Sequence, residues 1–200
     1  MVWDRGRFDE LCQGIEACAR GVRPSSGTPF FLYAYDPIEE RRCIEHMRKL
    51  ASSLKPLGFE ANVVWMGRLM SQVLQARGYT ATQLRLLEGE DRELLLSSEE
   101  GLSRPQGGLA DDLADALLSG KHGVRAMEGG SPKDVTFLLR TGALYPFVHV
   151  SEILSRLENR TRHTVAAAFP GSVDPAGEGL LRFLNEGKGR YYRATIVDGT

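Results

Sequence analysis

The sequence predicts an α/β fold: a three-layer sandwich built around a mainly parallel sheet, with a small helical insertion. Three observations carry this. Short apolar runs at 30–35, 62–66, 135–139 and 165–169 have the near-continuous hydrophobicity of strands covered on both faces. Segments whose apolar residues recur at three and four, the spacing of an amphipathic helix, lie before and between them. The resulting order of strand, helix, strand, helix is the one that produces a parallel, Rossmann-like sheet with helices on either side. At 200 residues the chain suits a single domain over 1–200, with the insertion at about 80–133.

Taken in order, Phe8, Leu11, Cys12, Ile15 and Ala19 share one helix face, and Gly21 stands where a left-handed C-terminal cap belongs. Two prolines and two glycines make 21–29 a connector. Phe30 to Tyr35 is the first strand. Asp36-Pro37-Ile38-Glu39 then reads as a helix start, with Asp36 accepting from first-turn amides, Pro37 in the first turn and Glu39 completing a capping-box-like pattern. That helix runs through Ile44, Met47, Leu50, Ala51 and Leu54 and stops near Pro56-Leu57-Gly58. Asn62 to Met66 is the second strand. After Gly67 a helix presents Leu69, Met70, Val73 and Leu74 and ends at Gly78.

From 80 to 133 the alternation breaks down. A helical pattern at 83–96, a loop at 97–108 and a short helix carrying Leu109, Leu113, Ala116 and Leu117 before Gly120 make this stretch longer than a minimal crossover. Val135 to Leu139 then forms a strand that stops at Gly142. Pro146 to Leu157 is the next helix, with Pro146 in its first turn and Val150, Ile153, Leu154 and Leu157 on its core face. Val165 to Phe169 is a strand that stops at Pro170-Gly171, and a last strand runs from Tyr191 to Val197.

Composition narrows the function. Twenty-five basic and 26 acidic residues leave a net charge of −1, and no polybasic run exists, so a nucleic-acid surface is not supported. Acidity gathers in 80–133, with ten acidic against six basic residues. No apolar run approaches the roughly 18 residues that would cross a bilayer, and the first 21 residues are charged and amphipathic, which places the chain in the cytoplasm. Cys12, Cys18 and Cys43 lack any C-x-x-C pairing and read as reduced core thiols.

Parallel strands gather their carboxyl ends on one edge, where open α/β sheets bind ligands. That edge would hold Asp36, Arg68, Arg140, Thr141, Gly142, Gly171 and Ser172, which makes them the crevice candidates. Catalytic motifs are missing from the sequence: there is no G-x-x-x-x-G-K-[ST], no G-x-G-x-x-G after the first strand and no G-x-S-x-G. His46, His122, His149 and His163 show no paired ligand spacing and read as surface or helix-end histidines. Glu39 and Glu40 are adjacent on a helix and face apart, so they make no acid–base pair. No catalytic residue, metal or cofactor is expected, and the chain on its own should hydrolyse neither ATP nor GTP. Tyr191-Tyr192-Arg193, near Lys188 and Arg190, is the most basic aromatic patch. On a strand Tyr192 would face the core with Ala194 and Ile196, leaving Tyr191 and Arg193 free to bind a partner.

Leu139-Arg140-Thr141-Gly142-Ala143-Leu144-Tyr145-Pro146-Phe147, then Ala168-Phe169-Pro170-Gly171, then Leu180 to Phe183 and Tyr191-Tyr192-Arg193-Ala194 follow one another in an order that resembles the BrxB family of bacterial BREX phage-exclusion systems. Phe31 to Pro37 resembles the family's N-terminal strand. The resemblance implies a component without defined catalysis that works beside a methyltransferase, an ATPase and the alkaline-phosphatase-like PglZ protein, and it brings no catalytic residues. Two functions follow as alternatives. One is an adaptor that binds another BREX component such as PglZ. The other is a nucleotide- or phosphate-binding enzyme with its site at the carboxyl edge of the sheet.

Overall fold

A computed structural model describes residues 5–80, 107–175, 180–184 and 189–200. Five α-helices lie among them: α1 (Arg5–Ala19), α2 (Glu40–Leu54), α3 (Met66–Ala76), α4 (Leu109–Ser119) and α5 (Val150–Leu157). The strands are β1 (Phe30–Tyr35), β2 (Glu60–Trp65), β3 (Asp134–Leu139), β4 (Thr164–Val173), β5 (Leu180–Phe183), β6 (Arg190–Tyr191) and β7 (Thr195–Asp198). The main sheet has the order β2-β3-β4-β1-β7, and every neighbouring pair in it is parallel. The four apolar runs therefore lie side by side in one parallel sheet, as the sequence predicts.

Side chains alternate across that sheet into two cores. Phe31, Tyr33 and Tyr35 of β1, Val135, Phe137 and Leu139 of β3, and Ala166 and Ala168 of β4 meet α1 and α2. Phe30, Leu32 and Ala34, with Leu138, Val165, Ala167 and Phe169, meet α3, α4 and α5. This is the three-layer sandwich. Helix α1 sits so close that a Cβ on Gly14 would come 2.9 Å from the Phe31 ring. Helix α4 is the short helix expected before Gly120, which caps it at φ 74°. It packs into the same layer as α3 and α5, and Asp112 and Asp111 at its start bond to Arg77 and Arg156. Burial pushes the Asp111 carboxyl up, but the Arg156 guanidinium and the Gly107 and Gly108 amides bring it below its ordinary value. The helical pattern at 83–96 and most of the loop at 97–108 fall outside the described residues. No described helix is long and apolar enough to cross a membrane.

Five local expectations are corrected. Strand β2 ends at Trp65, and Met66 is the first residue of α3 rather than the last of the strand. Glu39 closes no capping box: Asp36 Oδ1 accepts from Ile38 N at 3.1 Å, and Glu39 lies 3.8 Å from Arg42 instead. Pro146 does not open α5. Its peptide bond with Tyr145 is cis, Phe147 and Val148 N–H both donate to Leu144 O, and the helix begins at Val150. Strand β4 runs on through Pro170-Gly171 to Val173 because its ladder changes partner there, from parallel β1 to antiparallel β5. The last strand is two pieces: β6 pairs with β5 while β7 pairs with β1, so residues 192–194 carry the chain between them.

Candidate functional site

The carboxyl ends of β1, β2, β3 and β4 share one edge, with Trp65 level with Leu139 and Tyr35 level with Pro170. There a cleft of about 750 Å³ opens between the start of α2, the start of α3 and the turn after β3. Of the crevice candidates, Arg68, Arg140 and Gly142 line it. Arg140 leaves β3 with left-handed backbone, φ 60° and ψ 40°, and its guanidinium is paired with Glu40. A Cβ on Gly67 would come 2.9 Å from Ala143 Cβ, so glycine is what lets α3 start against the turn after β3. Arg68 is exposed in that first turn.

The other candidates serve the frame around the cleft. Asp36 caps the short 3-10 turn ahead of α2. Thr141 is buried and its hydroxyl donates to Ala168 O. Gly171 and Ser172 sit in the β4–β5 ladder opposite Phe183 and Arg182.

Sequence reading did not single out Trp65 or Tyr35, and it set Glu40 aside as half of a poor acid–base pair. Trp65 is 37% exposed at the mouth of the cleft. The Tyr35 hydroxyl is buried beside Glu40. Burial raises its pKa first, with Cys43 and Glu40 adding to the effect and Arg140 opposing it. A large aromatic ending each of β1 and β2 was the available signal.

At the C-terminal segment the alternation holds even though the strand is broken. Tyr192 is buried, its ring edge-on to Phe169 at 5.4 Å, with Ala194 and Ile196 packed partly against the same core. Tyr191 is 67% exposed. Arg193 is exposed as well, but its guanidinium is already paired with Glu158. Lys188 lies outside the described residues.

One histidine departs from expectation. His163 is buried, with Nδ1 3.1 Å from Thr136 Oγ1 and Nε2 3.9 Å from Asp134, because it stands just ahead of β4 with its ring under the backbone of Gly130.

A protein-family model described as "BREX protein BrxB" matches residues 68–197, about two thirds of the chain. The match runs from the first turn of α3 through β7 and takes in both the cleft arginines and the Tyr191 to Ala194 segment. No curated protein and no solved structure matches the chain.

Proposed function

We propose a binding role for this chain, which belongs to the BrxB family of BREX proteins: it acts as a non-catalytic adaptor in the antiphage complex, with PglZ as its partner. Family membership ties the chain to BREX antiphage defence, and the adaptor role is our reading of what it contributes there. The observation that carries the reading is the exposed Tyr191 beside a buried Tyr192. Tyrosine and arginine are the residue types that most often anchor interfaces, and an anchor needs a rigid base. Tyr192 in the core supplies that base, while Tyr191 and Arg193 face outward.

The test is co-purification of tagged protein from cells that carry the neighbouring BREX genes. Stoichiometric recovery of PglZ supports the adaptor; its absence at low and moderate salt refutes this partner. The cleft with Arg68 and Arg140 favours a second reading, an enzyme acting on a nucleotide or phosphate at the carboxyl edge. Turnover of ATP or GTP by the purified chain that disappears in Arg140→Ala would select that reading over the adaptor.

A further inference from the structure

We propose that the carboxyl-edge cleft binds a mononucleotide, with the base against Trp65 and the phosphate held by Arg68 and the first turn of α3. The cleft's volume, about 750 Å³, is that of a small-molecule site. Its position is the one at which parallel α/β sheets hold ligands. Its lining sets two guanidinium groups, Arg68 and Arg140, against one carboxylate, Glu40, which is already engaged by Arg140. The Arg68 side chain makes no hydrogen bond or ion pair with any described residue. It stands in the opening turn of an 11-residue helix, where backbone N–H groups have no partner within the helix and the dipole favours an anion.

A second cavity places the base. Trp65 and Arg68 also line a pocket of about 180 Å³, which they share with Asn62, Gln72 and His122. An indole exposed at the junction of the two cavities offers a face on which a base stacks. The ligand would therefore span both cavities, with the phosphate at Arg68 and the base on Trp65. This goes beyond the adaptor role, since it requires binding and no turnover.

Trp3 and Trp65 are the only tryptophans, so intrinsic fluorescence reports the site directly. The protein is titrated with AMP, ADP, ATP and GTP, and separately with inorganic pyrophosphate, while affinity is measured by calorimetry. The expected result is a saturable quench by at least one nucleotide. Trp65→Phe should abolish that quench, and Trp65→Ala should weaken calorimetric binding on the order of tenfold, as the loss of a base-stacking ring does. Arg68→Ala should weaken binding on the order of tenfold or more, as the loss of a charge-assisted contact does. Both positions are exposed, and circular dichroism confirms folding of each variant. No saturable binding of any nucleotide, affinity unchanged in Arg68→Ala, or pyrophosphate binding as tightly as the nucleotides would each overturn the assignment.

Discussion

Gly171→Ala tests whether the β4–β5 junction holds the C-terminal hairpin in place. Gly171 has φ 155°, outside the range side chains readily adopt. A Cβ there would stand 2.8 Å from the Phe169 ring and closer still to the backbone carbonyl oxygen of Arg182. The oxygen belongs to β5, so relief requires the strand to move, although the Gly171, Ser172 and Val173 ladder and the flanking Leu184 N to Pro170 O bond (2.9 Å) hold it. The backbone conformation and the overpacking each cost roughly 1–3 kcal/mol, about 3 kcal/mol together as a working figure. In a chain of this length that lowers the melting midpoint by about 6–12 °C. Gly58→Ala is the control, because Gly58 has φ 82° but nothing within 4 Å of its Cβ position. It should cost only about 1 kcal/mol. The assay is thermal unfolding of the three proteins, with hydrogen exchange of the β5 and β6 amides. Since β6 carries Tyr191 opposite Leu180, the same change should also weaken partner binding. An unchanged midpoint with hairpin amides as protected as in wild type would refute the reasoning.

Tyr192→Ala removes a buried ring from the core beside Phe169 and should cost about 3–5 kcal/mol in urea unfolding; a loss below about 1 kcal/mol would contradict its placement. Burial lowers the pKa of His163 below its ordinary value of about 6.5, opposed by Asp134 and reinforced by Arg125. A group depressed in this way contributes stability above the unfolded pKa and loses it as pH falls, so unfolding free energy should decline from about pH 6.5 downward. His163→Gln should flatten that decline below about pH 6.5, and an identical slope in wild type and variant would remove His163 as its source. Burial pushes the Cys12 thiol up to about 11, with Asp9 and Glu16 adding to it, and burial raises Cys18 and Cys43 as well. Maleimide labelling at neutral pH should therefore be slow in the folded protein and fast for all three thiols in denaturant; fast native labelling of Cys43 would contradict its burial.

The parts of the fold legible in the sequence are those fixed by local pattern. Phe30 to Tyr35 is apolar throughout because α1 and α2 cover one face of β1 while the opposite core covers the other, and its bounds agree with the sequence expectation. Leu109, Leu113, Ala116 and Leu117 give α4 by spacing alone. Pro170-Gly171 misleads because whether a strand continues past such a pair depends on a partner, and β5 is what accepts β4 there. Pro146 misleads for a related reason: it suits a helix start equally well, and only the turn on Leu144 O shows where the chain goes. At the cleft, Arg68, Arg140 and Gly142 follow from the rule that strand ends converge. Trp65 and Glu40 do not, because one reads as a strand interior and the other as part of a helix start. Their meeting with Arg140, 100 residues from Glu40, depends on tertiary packing.

The adaptor reading is tested most directly by the affinity of purified protein for PglZ before and after Tyr191→Ala/Arg193→Ala. The two side chains lie outside the core, and the Arg193 pair with Glu158 is an exposed one worth at most about 1 kcal/mol, so the double variant should fold normally. Truncating an interface anchor costs about 2 kcal/mol or more, which corresponds to roughly a thirtyfold loss of affinity. The expected result is that loss with an unaltered circular dichroism spectrum. PglZ binding of wild-type strength by the folded double variant would contradict it.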